Sequence, residues 1–308
     1  MPNKYEEYYE LAHTTEENLT RSKTNWTAFL DTAARVYKYP YSEQLLIFAQ
    51  RPEATACAEF SVWNETMNRF VKKGSKGIAL LDKGNKGESK VRYVFDVADT
   101  GTTPKSKNVN LWEFADEHEK AIVERLNERY GTNHTNVVAA AQTAAAQLVD
   151  EFWNANSRYI GDILEGSFLE EYDEDNIGMQ FRNAAVVSTT YVILTRCGIN
   201  PEMVLDDDDF SPIFDFNTPE STRFLASAVS DISEQVLRQI EIAVRTNERS
   251  LQNERNSLQT ERRLSDTRSE AAETGSVGNR QIRQNENEIS QGKQPVSVEQ
   301  SQTQRHIE

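Results

Sequence analysis

Arg69-Phe70-Val71-Lys72-Lys73-Gly74-Ser75-Lys76-Gly77-Ile78-Ala79-Leu80-Leu81 is the stretch on which the reading of the fold turns. A basic turn punctuated by Gly74 and Gly77 runs into Ile78-Ala79-Leu80-Leu81, a short apolar run that reads as a buried strand. Downstream, Lys83-Gly84-Asn85-Lys86-Gly87 predicts a hairpin loop, because glycine relieves the cost of positive φ. Val91-Arg92-Tyr93-Val94-Phe95-Asp96-Val97 then alternates as the return strand. Upstream, Phe60, Val62 and Trp63 lead into the turn. Further back, Trp26, Phe29, Leu30, Ala33, Ala34 and Tyr37 make one apolar helical face, with Thr24 or Asn25 as the expected cap and Pro40 as the stop. Ser42 is expected to open the next helix, which buries Leu45, Leu46, Phe48 and Ala49 and closes before Pro52. A polar helix over 4–20 precedes both. Residues 1–105 thus read as an α+β domain, a small antiparallel sheet packed with helices.

Residues 99–110 are rich in Thr, Lys and Pro and read as a loop or linker. Beyond them the chain turns helical, with candidate helices at 112–130, 136–154, 158–172, 177–197 and 219–247. Leu225, Val229, Ile232, Val236, Ile240 and Val244 hold a helical repeat through the last of these. An all-α domain over 106–250 is expected. Apolar residues then nearly vanish, and 251–308 reads as a disordered linker or tail, with at most a frayed helical extension before Ala271. A chain ending in such a segment is expected to be the N-terminal portion of a longer protein.

The 308 residues carry a net charge of −15 and are 37% hydrophobic. The acidity is local. Residues 1–105 hold 15 basic and 14 acidic residues, 106–250 hold 11 and 26, and 251–308 hold 8 and 9. Arg69, Lys72, Lys73, Lys76, Lys83, Lys86, Lys90 and Arg92 fall in a window whose acids are Asp82 and Glu88. The global charge therefore does not exclude nucleic acid as a partner of the N-terminal part. Cys57 and Cys197 stand far apart with no CxxC, which indicates neither a zinc site nor a disulfide framework and fits reduced thiols in a cytoplasm. The N-terminus lacks the apolar core of a signal peptide, and no apolar run reaches membrane-spanning length.

Lysine and arginine on a turn beside aromatic rings are what a protein needs to neutralise phosphates and stack bases. Tyr39, Tyr41, Trp63, Phe70 and Tyr93 are the aromatics at hand, of which Trp63 taken by itself reads as a core residue rather than a platform. The competing reading is a solvated lysine hairpin that protects a sheet edge. Gln50 and Arg51 end a helix, where they either contact phosphate or base edges or complement the helix dipole. Asp206-Asp207-Asp208-Asp209 and the acidic run 170–175 have a divalent-metal reading. The spacing of a calcium loop is missing, so they read as capping, solvated loops. His118 lacks the second histidine of HExxH, and no phosphate-binding loop, nucleophile elbow or dinucleotide fingerprint occurs. No catalytic residue, metal or cofactor is therefore expected.

Trp26-Thr27-Ala28-Phe29-Leu30, Tyr41-Ser42-Glu43-Gln44-Leu45-Leu46-Ile47, Ala49-Gln50-Arg51-Pro52-Glu53-Ala54-Thr55, Trp63 and Val71-Lys72-Lys73-Gly74-Ser75-Lys76-Gly77-Ile78 follow one another in an order and spacing that resembles the N-terminal domain of ArdC-type antirestriction proteins. The resemblance covers 26–99. It implies a single-stranded DNA-binding module, with Arg69, Lys72, Lys73 and Lys76 on phosphates, Trp63 or Tyr41 as stacking surface, and Gln50 and Arg51 in support. The metallopeptidase half often joined to that module has no counterpart here. Thr195-Arg196-Cys197-Gly198-Ile199-Asn200-Pro201, Asp209-Phe210, Phe216-Asn217-Thr218 and Ile232-Ser233-Glu234 are similar to segments that follow this domain in large proteins of Firmicutes conjugative elements, which often carry helicase or methylase modules.

The expectation is a cytoplasmic, non-enzymatic protein of a mobile element. It would bind single-stranded DNA without sequence preference during conjugative transfer or antirestriction. The alternatives are a protein-interaction module that recruits a helicase, methylase or host protein through the acidic helices, with vestigial DNA binding, and a metal-dependent nuclease built on the acidic runs.

Overall fold

A computed structural model describes residues 3–83 and 88–290, with 264–290 as backbone. The chain begins with α1 (Lys4–Leu19), held at its start by a reciprocal capping box. The Asn3 side chain accepts from the Glu6 N–H at 2.9 Å, and Glu6 accepts from the Asn3 N–H at 3.0 Å. The next helix, α2 (Lys23–Arg35), is capped by Ser22, whose hydroxyl accepts from the Asn25 N–H at 3.1 Å. Thr24 and Asn25 thus lie inside the helix, because the extended backbone needed at a cap falls at Ser22. The apolar face ends at Arg35, short of Pro40. Pro40, with φ near −65° and extended ψ, is itself the N-cap of α3 (Tyr41–Gln50), so Ser42 lies within that helix.

Five strands follow: β1 (Cys57–Glu59), β2 (Phe70–Val71), β3 (Ile78–Lys83), β4 (Ser89–Asp96) and β5 (Thr100–Gly101). The expected strand at 78–81 and its return strand are present and pair antiparallel, Ile78 opposite Val94 and Leu81 opposite Val91. Residues 84–87 of the expected hairpin loop lie outside the described residues. The main sheet has the order β1-β4-β3, and β2 pairs with β5 as a separate ribbon. Part of the expected linker over 99–110 is therefore sheet. A two-residue strand such as Thr100–Gly101 leaves no periodic trace in the sequence. Ile78, Leu80 and Val94 bury against Leu46 and Ile47 of α3 in a small core.

The helical part contains α4 (Glu119–Tyr130), α5 (Val137–Asn156), α6 (Ile160–Leu164), α7 (Glu174–Arg196) and α8 (Pro219–Ser290). The helix expected over 158–172 is cut short after Leu164, where Gly166 adopts φ +76°, a left-handed value that ends helices. The aspartate run behaves as a cap at the head of the 3₁₀ segment Asp207–Asp215: Asp209 Oδ2 accepts from the Asp206 N–H at 2.8 Å, and the Asp209 N–H donates to the Asp206 carbonyl at 3.3 Å.

The expected boundary at 105/106 does not separate two cores. Residues 1–247 form one compact unit. Trp26, Phe29 and Leu30 of α2 share a buried cluster with Phe181 and Ile193 of α7 and Ile232 of α8. The indole N–H of Trp26 donates to Ser188 Oγ at 2.9 Å, and the Tyr191 hydroxyl donates to Asp31 at 3.0 Å. The second unit begins at Glu248. There α8 continues to Ser290, through the helical extension expected before Ala271 and on over 271–290. An α-helix satisfies its backbone from within, and this Glu-, Gln- and Arg-rich stretch holds no proline. Residues 291–308 of the expected tail lie outside the described residues.

Candidate nucleic-acid interface

The basic turn rests on Asp96. This carboxylate is 2% exposed and accepts from the backbone N–H groups of Thr55 (2.7 Å), Ala56 (3.0 Å) and Ala98 (2.9 Å). It thereby fixes 96–101, the strip on which the turn lies. Phe70 pairs with Gly101 and Val71 with Thr100, and the Lys72 N–H donates to Asp99 O at 2.8 Å. The Ser75 N–H closes a β-turn onto Lys72 O at 3.2 Å, with Gly74 at φ +90° in its third position. That position of a type II turn requires positive φ, which explains the glycine between the lysines. Lys73 and Lys76 are exposed and make no hydrogen bond or ion pair among the described residues. Lys72 Nζ donates to Ala98 O at 2.9 Å and touches no carboxylate among the described residues. Arg69 is half-buried and donates from Nε to Thr100 Oγ1 at 2.8 Å.

A second basic loop lies beside the first. Ser106 Oγ donates to Asn68 O at 2.5 Å, and the Lys107 N–H donates to Met67 O at 2.9 Å. These bonds tie 103–107 to the start of the turn, and Lys105 and Lys107 there are both exposed. The linker reading of 99–110 missed them. Their signal was the Lys-x-Lys spacing, which gains meaning only once the loop folds back on Asn68.

The ring that faces solvent here is Phe70, 48% exposed. It lies flat against the backbone of Gly101, where an added Cβ would fall 2.3 Å from the ring. Glycine at 101 is therefore what lets the ring lie down with one face open. Phe60 (54% exposed) and Tyr93 (37%) are the other open aromatics of the sheet region. Phe60 was no part of the predicted set.

Four residues of that set have structural work instead. Trp63 sits in a one-turn π-helix, Val62–Thr66, is 3% exposed, and donates from its indole N–H to Phe95 O at 2.8 Å. Tyr41 is 4% exposed, and its hydroxyl donates to Glu16 at 2.8 Å, a carboxylate also paired with Arg223. Burial pushes the Glu16 carboxyl up, against the hydrogen bonds from Arg223 and Tyr41. Neither ring offers a stacking face, so both assignments are corrected. Large aromatics gain more by burial than the sequence pattern around them discloses. Gln50 spends its amide on the free edge of β3, donating to Ala79 O at 2.8 Å and accepting from Ala79 N–H at 2.9 Å. Arg51 pairs with Asp99 and Glu53. Both are supports of the turn rather than contacts for a strand. Arg92 likewise is consumed by Glu43 (2.7 Å) and Glu59 (3.4 Å).

Among the described residues, no three of His, Cys, Asp and Glu are grouped as metal ligands. Cys57 and Cys197 are free thiols, both pushed up to about 12 by burial, Cys57 also by Asp96. Among the same residues, no helix is long and apolar enough to cross a membrane. Comparison with protein-family models, curated proteins and solved structures finds no match.

Proposed function

We propose that this chain binds single-stranded DNA without sequence preference through the surface of Lys72, Lys73, Lys76, Lys105 and Lys107, with Phe70 as the stacking platform. The observation that carries the reading is a group of exposed lysines without carboxylate partners among the described residues, near an open aromatic ring, on a chain of net charge −15. Point charges on flexible stems follow a phosphate backbone, and an open ring accepts any base. Arg69 contributes a further charge at the edge of the patch. In keeping with the ArdC-type resemblance, the protein acts in the cytoplasm as a non-enzymatic component of a mobile element, in conjugative transfer or antirestriction. The acidic helices repel the strand and so confine it to one face.

The test is fluorescence anisotropy of a labelled single-stranded oligonucleotide at several salt concentrations, with the chain and its Lys72→Glu/Lys73→Glu/Lys76→Glu variant. The affinity is expected to fall with a logarithmic salt slope of about −0.7 per phosphate neutralised. The variant is expected to lose that slope along with binding. Absence of binding at low salt sinks the proposal. The acidic helices as a docking module for a helicase, methylase or host protein then become the leading account.

A further inference from the structure

A second cationic site lies away from the basic turn, in a cavity of about 210 Å³ bounded by the end of α2, the strand entry at Thr55–Cys57, the Asn110–Trp112 segment, the end of α7 at Arg196 and the stretch of α8 that carries Glu241 and Arg245. Four cations line it, Arg35, Lys38, Arg196 and Arg245, against the single carboxylate of Glu241. That carboxylate is already fully engaged. It accepts from Lys38 and from the Tyr37 hydroxyl, each at 2.7 Å, and from Arg245 at 2.8 Å. Arg35 donates to the carbonyls of Ala54 and Pro52 and meets no acid among the described residues.

Arg196 is the anomaly. Its guanidinium lies 3.7 Å from the centroid of the Trp112 ring, half-buried, and makes one hydrogen bond, from Nη2 to Trp112 O at 2.7 Å. It has no carboxylate partner among the described residues. Stacking holds the fork rigid and leaves its other N–H groups unspent. A desolvated cation with no carboxylate in direct contact is costly, and burial pulls its pKa down against the more distant charges of Glu241 and Glu113. In a chain with 49 acidic residues, the cavity nonetheless excludes all but one of them. An arginine fork pre-set in one plane matches the paired oxygens of a phosphate. At about 30 Å³ per water, the cavity has room for about seven waters and so for a phosphoryl group.

We propose that this cavity is a binding site for a small phosphate-bearing ligand, with Arg196 as the fork and Lys38 and Arg35 supplying the remaining charge. The site is independent of the strand-binding reading, since it shares no residue with the lysine turn.

Isothermal titration of the full chain with inorganic phosphate, dAMP and adenosine tests this, with Arg196→Gln and Lys38→Gln as variants. Phosphate and dAMP are expected to bind and adenosine is not. Arg196→Gln is expected to weaken binding at least tenfold and Lys38→Gln severalfold. Tighter binding of dAMP than of phosphate identifies a nucleotide as the ligand; equal binding identifies the free ion; both uphold the site. Should Arg196→Gln fail to fold, judged by circular dichroism, the Lys38→Gln result decides. The Lys72→Glu/Lys73→Glu/Lys76→Glu variant is expected to bind phosphate unchanged, so failure of the strand-binding reading and failure of this one are separable. The proposal is overturned if neither phosphate nor dAMP binds at millimolar concentration. It is also overturned if folded cavity variants bind as well as the parent, or if the lysine-turn variant alone loses binding.

Discussion

Phe70 and Trp63 stand seven residues apart and show how exposure, not residue type, decides what a ring does. Phe70 has a face open to solvent; Trp63 has none, and its N–H is committed to Phe95 O. Phe70→Ala is expected to weaken single-stranded DNA binding by about 1–3 kcal/mol with little effect on the melting temperature. Trp63→Phe leaves the Phe95 carbonyl without its donor and is expected to cost about 1–3 kcal/mol of stability while DNA affinity holds. Measuring both quantities on both variants checks the assignment; the reverse pattern refutes it. Glu241 supplies a test by pH. Burial raises its carboxyl, but hydrogen bonds from Lys38, Tyr37 and Arg245 outweigh that and hold it at about 2, below the ordinary 4.5. A depressed carboxyl binds fewer protons in the folded state. Its contribution to stability is therefore present above about pH 4.5 and lost as pH falls towards 2. Glu241→Gln is expected to flatten the dependence of the unfolding free energy on pH in that window, measured by denaturant titration.

At the scale of the element, the basic turn is held by a carboxylate that carries no function of its own. Asp96 satisfies three backbone N–H groups at once, on 55–56 and on 98. Asp96→Ala leaves these donors unpaired in a buried place and is expected to cost about 2–4 kcal/mol by denaturant unfolding. Because the turn lies on 96–101, the same variant is expected to lose DNA affinity although no DNA contact is removed. An unchanged affinity would show that the turn holds its shape without this anchor. Gln50 and Arg51 act at the same scale. The first covers the free edge of β3, a place where an unpaired strand invites association. The second clamps Asp99, whose carbonyl receives the Lys72 N–H.

For the whole molecule, the decisive fact is that α2 buries its apolar face partly against α7. The sequence places these two helices on opposite sides of a Thr- and Lys-rich segment, and composition there reads as a boundary. A fragment ending at residue 105 would expose Trp26, Phe29 and Leu30 to water. It is expected to show no cooperative thermal transition. A fragment ending at Asn247 keeps the complete first unit and is expected to melt as the full chain does. Cooperative unfolding of the shorter fragment would restore the two-domain description.

The sequence by itself determined most local structure: α1, the β3–β4 pairing, the repeat along α8 and the capping role of the aspartate run. Each is set by neighbours within a few residues, through periodicity, caps and turn geometry. It also marked the basic turn, because Gly74 and the lysines around it are contiguous. Only the tertiary structure decided which aromatic rings stay open and that Gln50 and Arg51 are supports. It likewise brought Lys105 and Lys107 beside the turn and gathered four cations around one engaged carboxylate. Those outcomes depend on contacts between residues far apart in the chain. Burial and ion pairing are properties of such contacts, and no local pattern of residues encodes them.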